Sequence, residues 1–292
     1  MQKVSTHLWF DNQANQAADF FASIFPAQII NKTILHNTPS GTVDIINLQI
    51  LDREFTFINA GPNFTFNPSI SLMIASINKE EIQTIWNKLS LEGQVLMELD
   101  QYPFSPKYGW LKDRYGLTWQ LLYTEQTDQT RIIPALMFVG SQCGRAEEAI
   151  NFYTSTFIDG RIDQIIHYGD NEPPNKPDTV QHARFELEGK KFIAMDSAID
   201  HKFNFSEAIS FIINCYTQEE IDYYWGKLSA VPESEQCGWL KDKFGVSWQV
   251  HPVILDEMMR DPDQTKVDRV TKTFLAMKKF SIQELQHSFN GH

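Results

Sequence analysis

The sequence predicts an α+β fold in which four βαβββ modules make two tandem domains, with helices added at the C-terminus. Three observations lead there. A twelve-residue stretch occurs twice, as Gly109-Trp-Leu-Lys-Asp-Arg-Tyr-Gly-Leu-Thr-Trp-Gln120 and Gly238-Trp-Leu-Lys-Asp-Lys-Phe-Gly-Val-Ser-Trp-Gln249, with eight positions identical. The chain upstream of each copy repeats as well, element for element, and a repeat of this length sets the architecture. Beyond Pro252 the repeat ends and helix caps begin.

Each half opens on a strand, Thr6-His-Leu-Trp-Phe10 or Pro134-Ala-Leu-Met-Phe138, followed by a helix over Ala14–Phe21 or Ala146–Tyr153. Thr42 to Ala60 aligns without a gap on Thr179 to Ser197 as two strands about a turn at Asp52-Arg53 or Gly189-Lys190. A strand at Ile70–Ile74 or Ile209–Ile213 follows, then a helix. The helix is announced by a capping box, Asn78-Lys-Glu-Glu81 or Thr217-Gln-Glu-Glu220. The doubled stretch closes each half as a hairpin whose turn ends on a glycine able to take positive φ, Gly116 or Gly245. In the strand that leaves it, Trp119 and Trp248 point to the core, while Gln120 and Gln249 face the other way. The predicted domains are residues 1–125 and 131–252, joined by the polar Glu125–Thr130, with a helical extension over 253–292. In that extension Asp261 is read as a cap before Pro262, and Ser281 as the cap of a last short helix.

Composition narrows the function classes. A net charge of −12 argues against the basic face that nucleic-acid binding needs and disfavours anionic membranes. No apolar run approaches the roughly 20 residues of a spanning helix. Met1 leads directly into a strand, so no leader is expected. Cys143, Cys215 and Cys237 are an odd, scattered set that fits reduced thiols, and the predicted address is cytoplasmic.

Leu8-Trp-Phe-Asp11, Ala146–Tyr153, Ala208-Ile-Ser-Phe211, Glu219–Trp225 and Gln236–Gln249 carry a family resemblance. They are similar to the vicinal oxygen chelate superfamily of glyoxalase, bleomycin-resistance and dioxygenase proteins. Within it they resemble the PhnB-like group, labelled a 3-demethylubiquinone-9 3-methyltransferase domain. The resemblance implies two glyoxalase-like domains whose modules curl into cups. In metal-using members, His, Gln or Glu on the inner strand faces hold one divalent ion. Carried over by position, these places are His7 and Ala135, Asn59 and Asp196, Leu72 and Phe211, and Gln120 and Gln249. The implied first cup presents His7, Trp9, Asn59 and Gln120; the second presents Met137, Asp196 and Gln249. Neither set reaches the three or so ligands of a catalytic metal centre. The expectation is therefore no cofactor, with a divalent metal as the alternative. The methyltransferase label lacks the glycine-rich strand-to-helix loop that holds S-adenosylmethionine in doubly wound folds.

The reading implied is a protein that binds a small cytosolic molecule, with His7 as the candidate acid or base. Trp9, Asn59, Gln120, Asp196 and Gln249 are the candidate ligand contacts. Each competes with a plainer role: a half-buried strand histidine, or a glutamine bonded to the next strand. Cys237 competes as a nucleophile with an inert buried thiol, and Trp110 and Trp239 compete as cup walls with core aromatics. Two alternatives stand beside binding, a metal-dependent glyoxalase- or dioxygenase-type enzyme and a scaffold with vestigial cups. The expected assembly is a monomer whose halves form an internal pseudo-dimer, or a homodimer through another surface.

Overall fold

The computed structural model describes residues 1–38, 40–125 and 130–292, so the middle of the expected joint, residues 126–129, lies outside the described residues. The first repeat supplies β1 (Val4–Phe10), α1 (Ala14–Ala22), β2 (Ala27–Thr38), β3 (Gly41–Ile50) and β4 (Arg53–Asn59). It continues with β5 (Ile70–Ser76), α2 (Lys79–Leu89), β6 (Gln94–Tyr102), β7 (Ser105–Lys112) and β8 (Thr118–Tyr123). The second gives β9 (Arg131–Phe138), α3 (Ala146–Thr156), β10 (Arg161–His167), β11 (Val180–Leu187) and β12 (Lys190–Asp196). It ends with β13 (Ile209–Cys215), α4 (Gln218–Leu228), β14 (Trp239–Lys241) and β15 (Ser247–Pro252). Three helices follow, α5 (Val253–Met258), α6 (Gln264–Leu275) and α7 (Ile282–Asn290).

Local chemistry accounts for most boundaries. Asn78 caps α2 by accepting from the N–H groups of Glu80 and Glu81, and Thr217 caps α4 by accepting from Glu220. Gly116 and Gly245 both sit at φ 88°, as the hairpin turns demand. The start of α6 differs from expectation: Asp263, not Asp261, caps it by accepting from the Thr265 N–H, and Pro262 lies just outside the helix. α5 was not anticipated.

The strands form a seven-stranded sheet, β14-β15-β13-β1-β4-β3-β2, and an eight-stranded sheet, β10-β11-β12-β9-β5-β8-β7-β6. Each sheet thus takes one module from each repeat. The seams are antiparallel and match by pseudo-symmetry, Leu8 opposite Ile209 in one and Leu136 opposite Ile70 in the other. This corrects the expected grouping of residues. His7 and Gln120 belong to different sheets, and His7 shares its sheet with Gln249. Pairing across the seams covers the strand edges that a lone repeat would expose.

Turns of the two repeats also interlock. The guanidinium of buried Arg53 donates from Nε to the Ile132 carbonyl at 3.2 Å and from Nη2 to that of Lys191 at 2.8 Å. Its counterpart Lys190 donates to the Asp52 carbonyl at 2.7 Å. Arg53 stacks over Phe192 at 5.1 Å, and burial lowers its pKa to about 10.

The fourth module is one strand short. The chain from Leu228 to Gly238 is half the length of that from Leu89 to Gly109, and β6 has no counterpart. The C-terminal extension takes the vacant edge: the N–H groups of Cys237 and Gly238 donate to the carbonyls of Met277 and Lys278, both at 2.8 Å. Gly238 is required there, because a Cβ would lie 2.4 Å from the Phe280 ring.

Candidate binding site

The doubled stretch is built around a residue that sequence reasoning passed over. The carboxylate of Asp242 accepts from the turn N–H groups of Phe244 and Val246, from Trp248 Nε1 at 2.8 Å and from the Tyr153 hydroxyl at 2.7 Å. Asp113 does the same with Tyr115, Leu117 and Trp119 Nε1. Burial raises both carboxyl pKa values, Asp113 to about 6, against the pull of those donors. Trp119 and Trp248 are fully buried on the helix side, as the alternation predicted. The repeat of Asp with Trp in both copies was the available signal, and its meaning is a turn, not catalysis.

The opposite, inner face of each sheet carries a row of side chains, one from each strand in direct register. In the first sheet the row is Asn31, Asn47, Thr56, His7, Ser210, Ser247 and Lys241. The Thr56 hydroxyl and the Asn47 amide are hydrogen-bonded at 2.7 Å, and the Asn31 and Asn47 amides lie 2.8 Å apart. At the β2 end Arg260 meets the row. With its oxygen turned toward that donor-only guanidinium, Asn31 accepts at 3.2 and 2.8 Å. Gln249 stands beside the row and donates to Ser210 at 3.0 Å. Trp239 meets His7 edge to face with ring centroids 5.1 Å apart, and Trp9 lies 6.2 Å from Trp239 and 4.9 Å from Phe64.

His7 is 2 % exposed, and its Nδ1 is buried without a hydrogen-bond partner; the hydroxyl of Ser247, 1 % exposed, is in the same condition. Burial lowers the His7 pKa from 6.5 to about 3, so the imidazole is neutral at pH 7. Such a group is a hydrogen-bonding surface and a weak base, which changes the role expected of it as an acid or base.

In the second sheet the corresponding row runs Gln164, Arg184, Ile193, Ala135 and Ser71, with Lys112 at its end opposite Thr118. Its centre is apolar: Met73, Ala135 and Ile193 form a cluster apart from the main core, with Leu122, Ile133 and Met195 packed against it. Gln120 is buried and fully engaged, donating to the Ser71 hydroxyl at 2.6 Å and accepting from Tyr108 at 3.0 Å. Each of its two amide atoms thus already has a protein partner.

Two other expected contacts lie elsewhere. Asn59 accepts from the Ala14 N–H at 2.6 Å and so holds the start of α1. Asp196 accepts from the N–H groups of Gly144, Ala146 and Val180 and holds the start of α3. Both end a strand where a helix N-terminus needs an acceptor, and neither joins a row. Trp9 flanks the first row, although its Nε1 is bonded to the Gly61 carbonyl at 2.7 Å. Burial raises the Cys237 thiol pKa, and the residue serves the patched edge of β14. A cavity of ≈ 480 Å³ lies outside both rows, between the end of β2 and α6, lined in part by His36, Asp268 and Lys272.

Among the described residues no three His, Cys, Asp or Glu side chains gather where a metal ion could be held. The neighbours of His7 in its row are hydroxyls, which bring no charge to offset the dehydration of a divalent ion. These donors do not fit such an ion. No described helix is long and apolar enough to cross a membrane.

The family described as 3-demethylubiquinone-9 3-methyltransferase matches residues 2–122 and again residues 130–251. A PhnB protein of Bacillus cereus is 36% identical over 42% of this chain and 100% of its own, with a TM-score of 0.40. Glyoxalase I of Zea mays covers 85% of this chain and 90% of its own at 11% identity, with a TM-score of 0.55. A candidate dioxygenase of Bacillus subtilis covers 99% of this chain and 96% of its own at 10% identity, with a TM-score of 0.52. At such identities the last two likenesses establish the fold alone. No curated protein matches the chain.

Proposed function

The chain belongs to the PhnB-like family described as 3-demethylubiquinone-9 3-methyltransferase, in two consecutive copies on the vicinal oxygen chelate fold, and from that premise we propose that it binds a small molecule on the inner face of its first sheet. The observation that carries this reading is the unpartnered pair on that face, His7 Nδ1 and the Ser247 hydroxyl. A buried polar group without a partner costs roughly 1–3 kcal/mol, which a bound ligand restores. The carbonyl oxygen of Gln249 and the indoles of Trp9 and Trp239 would orient that ligand. Binding is favoured over turnover because a histidine with a pKa of about 3 is a poor base at neutral pH. The methyl transfer in the family description gains nothing from the starts of α1 and α3, where Asn59 and Asp196 already fill the acceptor places. We place the protein in the cytoplasm on the strength of its free thiols, and as a monomer because its repeats already pair with each other.

Thermal-shift screening of a metabolite library, followed by calorimetry, tests the reading. A ligand that raises the melting temperature of the wild type should lose about tenfold or more in affinity on His7→Ala. Ligands that bind the variant as well as the wild type would place the site elsewhere. Elemental analysis adds an independent arm: near-stoichiometric nickel, zinc, manganese or iron, lost on His7→Ala, would overturn the proposal in favour of a metal-dependent enzyme.

A further inference from the structure

The two inner rows are a controlled comparison within one chain. Both keep a serine, a glutamine and a lysine at matching places, but Thr56 and His7 at the centre of the first correspond to Ile193 and Ala135 in the second. The fold therefore closes over an apolar centre in one sheet. Among the described residues the second face leaves one buried group unpartnered, Trp110 Nε1, at its β7 end; the first leaves two, His7 Nδ1 at its polar centre and the Ser247 hydroxyl two strands away, against the rule of satisfied interiors.

The chemistry that would satisfy those groups is narrow. A neutral imidazole presents Nδ1 as donor or acceptor according to its tautomer, and a serine hydroxyl does both. A ligand hydroxyl answers either, since it too donates and accepts. A carboxylate between His7 and Ser247 would have no free cation beside it, because Lys241 is already paired with Glu207 at 2.7 Å and Arg260 stands at the β2 end of the row, three strands from His7. A cation would find no carboxylate in the row. His7 and Ser247 stand on strands separated by β13, hence about 10 Å apart, a span bridged by one ring bearing hydroxyls. Trp239, against His7, offers an aromatic wall for such a ring.

Building on the binding reading above, we propose that the first inner face takes a neutral, polyhydroxylated ring compound, sugar-like or nucleoside-like, bonded through hydroxyls to His7 and Ser247 and laid against Trp239. The second face, with Ile193 and Ala135 in place of Thr56 and His7, does not take it.

The test is saturation-transfer NMR and calorimetry on the full chain with glucose, myo-inositol and uridine, and with benzoate and naphthalene-2-sulfonate as anionic aromatic probes. The double variant His7→Ala/Thr56→Ile reproduces what the second sheet already carries, and Ser247→Ala is a milder second variant should the first lose its fold. We expect at least one neutral polyol to bind the wild type and to weaken about tenfold in each variant, with the anionic probes unaffected. Glucose or inositol responding assigns a sugar, and uridine responding alone assigns a nucleoside. If an anionic probe binds and weakens in the variants while the polyols do not bind, the ligand class is wrong and the binding site stands. If no probe distinguishes the variants from the wild type, both the class and the site fall.

Discussion

His7→Leu separates a residue kept for folding from one kept for a ligand. The imidazole is buried beside Trp239 with Nδ1 unpartnered, so replacing it with an apolar side chain of similar size removes an unsatisfied group and should leave stability at pH 7 unchanged or raise it by about 1–3 kcal/mol. The acid side gives a sharper number. The native pKa is depressed to about 3 from an unfolded value near 6.5, so between those values the unfolded chain binds the proton and the native state does not. Wild-type stability from this group is complete above pH 6.5 and is lost as pH falls, by about 1.4 kcal/mol per unit, or roughly 2 kcal/mol by pH 5. Asp113 titrates in the same window with the opposite sign, since its raised pKa, about 6, makes the native state the first to take the proton. The quantity to measure is therefore the difference between wild type and His7→Leu. Urea unfolding followed by tryptophan fluorescence at pH 7 and pH 5 should show that difference widening by roughly 1 M in midpoint. Parallel profiles for the two proteins would mean that His7 titrates normally in the native state, and the case for a desolvated polar centre would fail.

Trp119→Ala and Trp248→Ala should each cost about 3–5 kcal/mol by removing a fully buried indole and one donor to Asp113 or Asp242, read as lowered urea midpoints, with a ligand still bound in whichever variant stays folded. Arg53→Ala leaves the carbonyls of Ile132 and Lys191 without their donor and should cost about 2–4 kcal/mol, more than the same change at exposed Arg161, by thermal unfolding. Gly238→Ala combines φ 81° with a 2.4 Å approach to Phe280 and should cost at least about 2 kcal/mol, of which Phe280→Ala in the same chain recovers only the steric part.

Much of the fold could be read from local pattern. Alternation placed Trp119 and Trp248 on one face and Gln120 and Gln249 on the other, and short-range hydrogen bonding placed the caps at Asn78, Thr217 and Ser281. What escaped depends on contacts between distant segments. The period of a strand says which side chains share its face but not which strand lies next to it, so the pairing of β1 with β13 was invisible and His7 was grouped with Gln120. Asn59 and Asp196 lie at strand ends, where family position suggests a ligand; only the approach of α1 and α3 shows that their acceptors serve helix starts. The polar row became legible only once six neighbouring registers were known. The low basicity of His7 comes from burial, which no motif encodes.

The exchange of modules between repeats has a consequence during synthesis. Lys3, just ahead of β1, finds its ion-pair partner Glu220 at a separation of 217 residues. At translation rates of 5–20 residues per second, roughly ten to forty seconds pass between the emergence of the two. Through that interval β1 lacks its neighbour β13, although β2, β3 and β4 are already available to it. Through that wait the seam edge of β1 stays unpaired, open to chaperones or to β13 of a neighbouring nascent chain on the message. Closely spaced ribosomes would favour chains that trade halves, while sparse loading would favour closure of each chain on itself. Closure within one chain and exchange between neighbouring chains would use the same seam, β1 against β13.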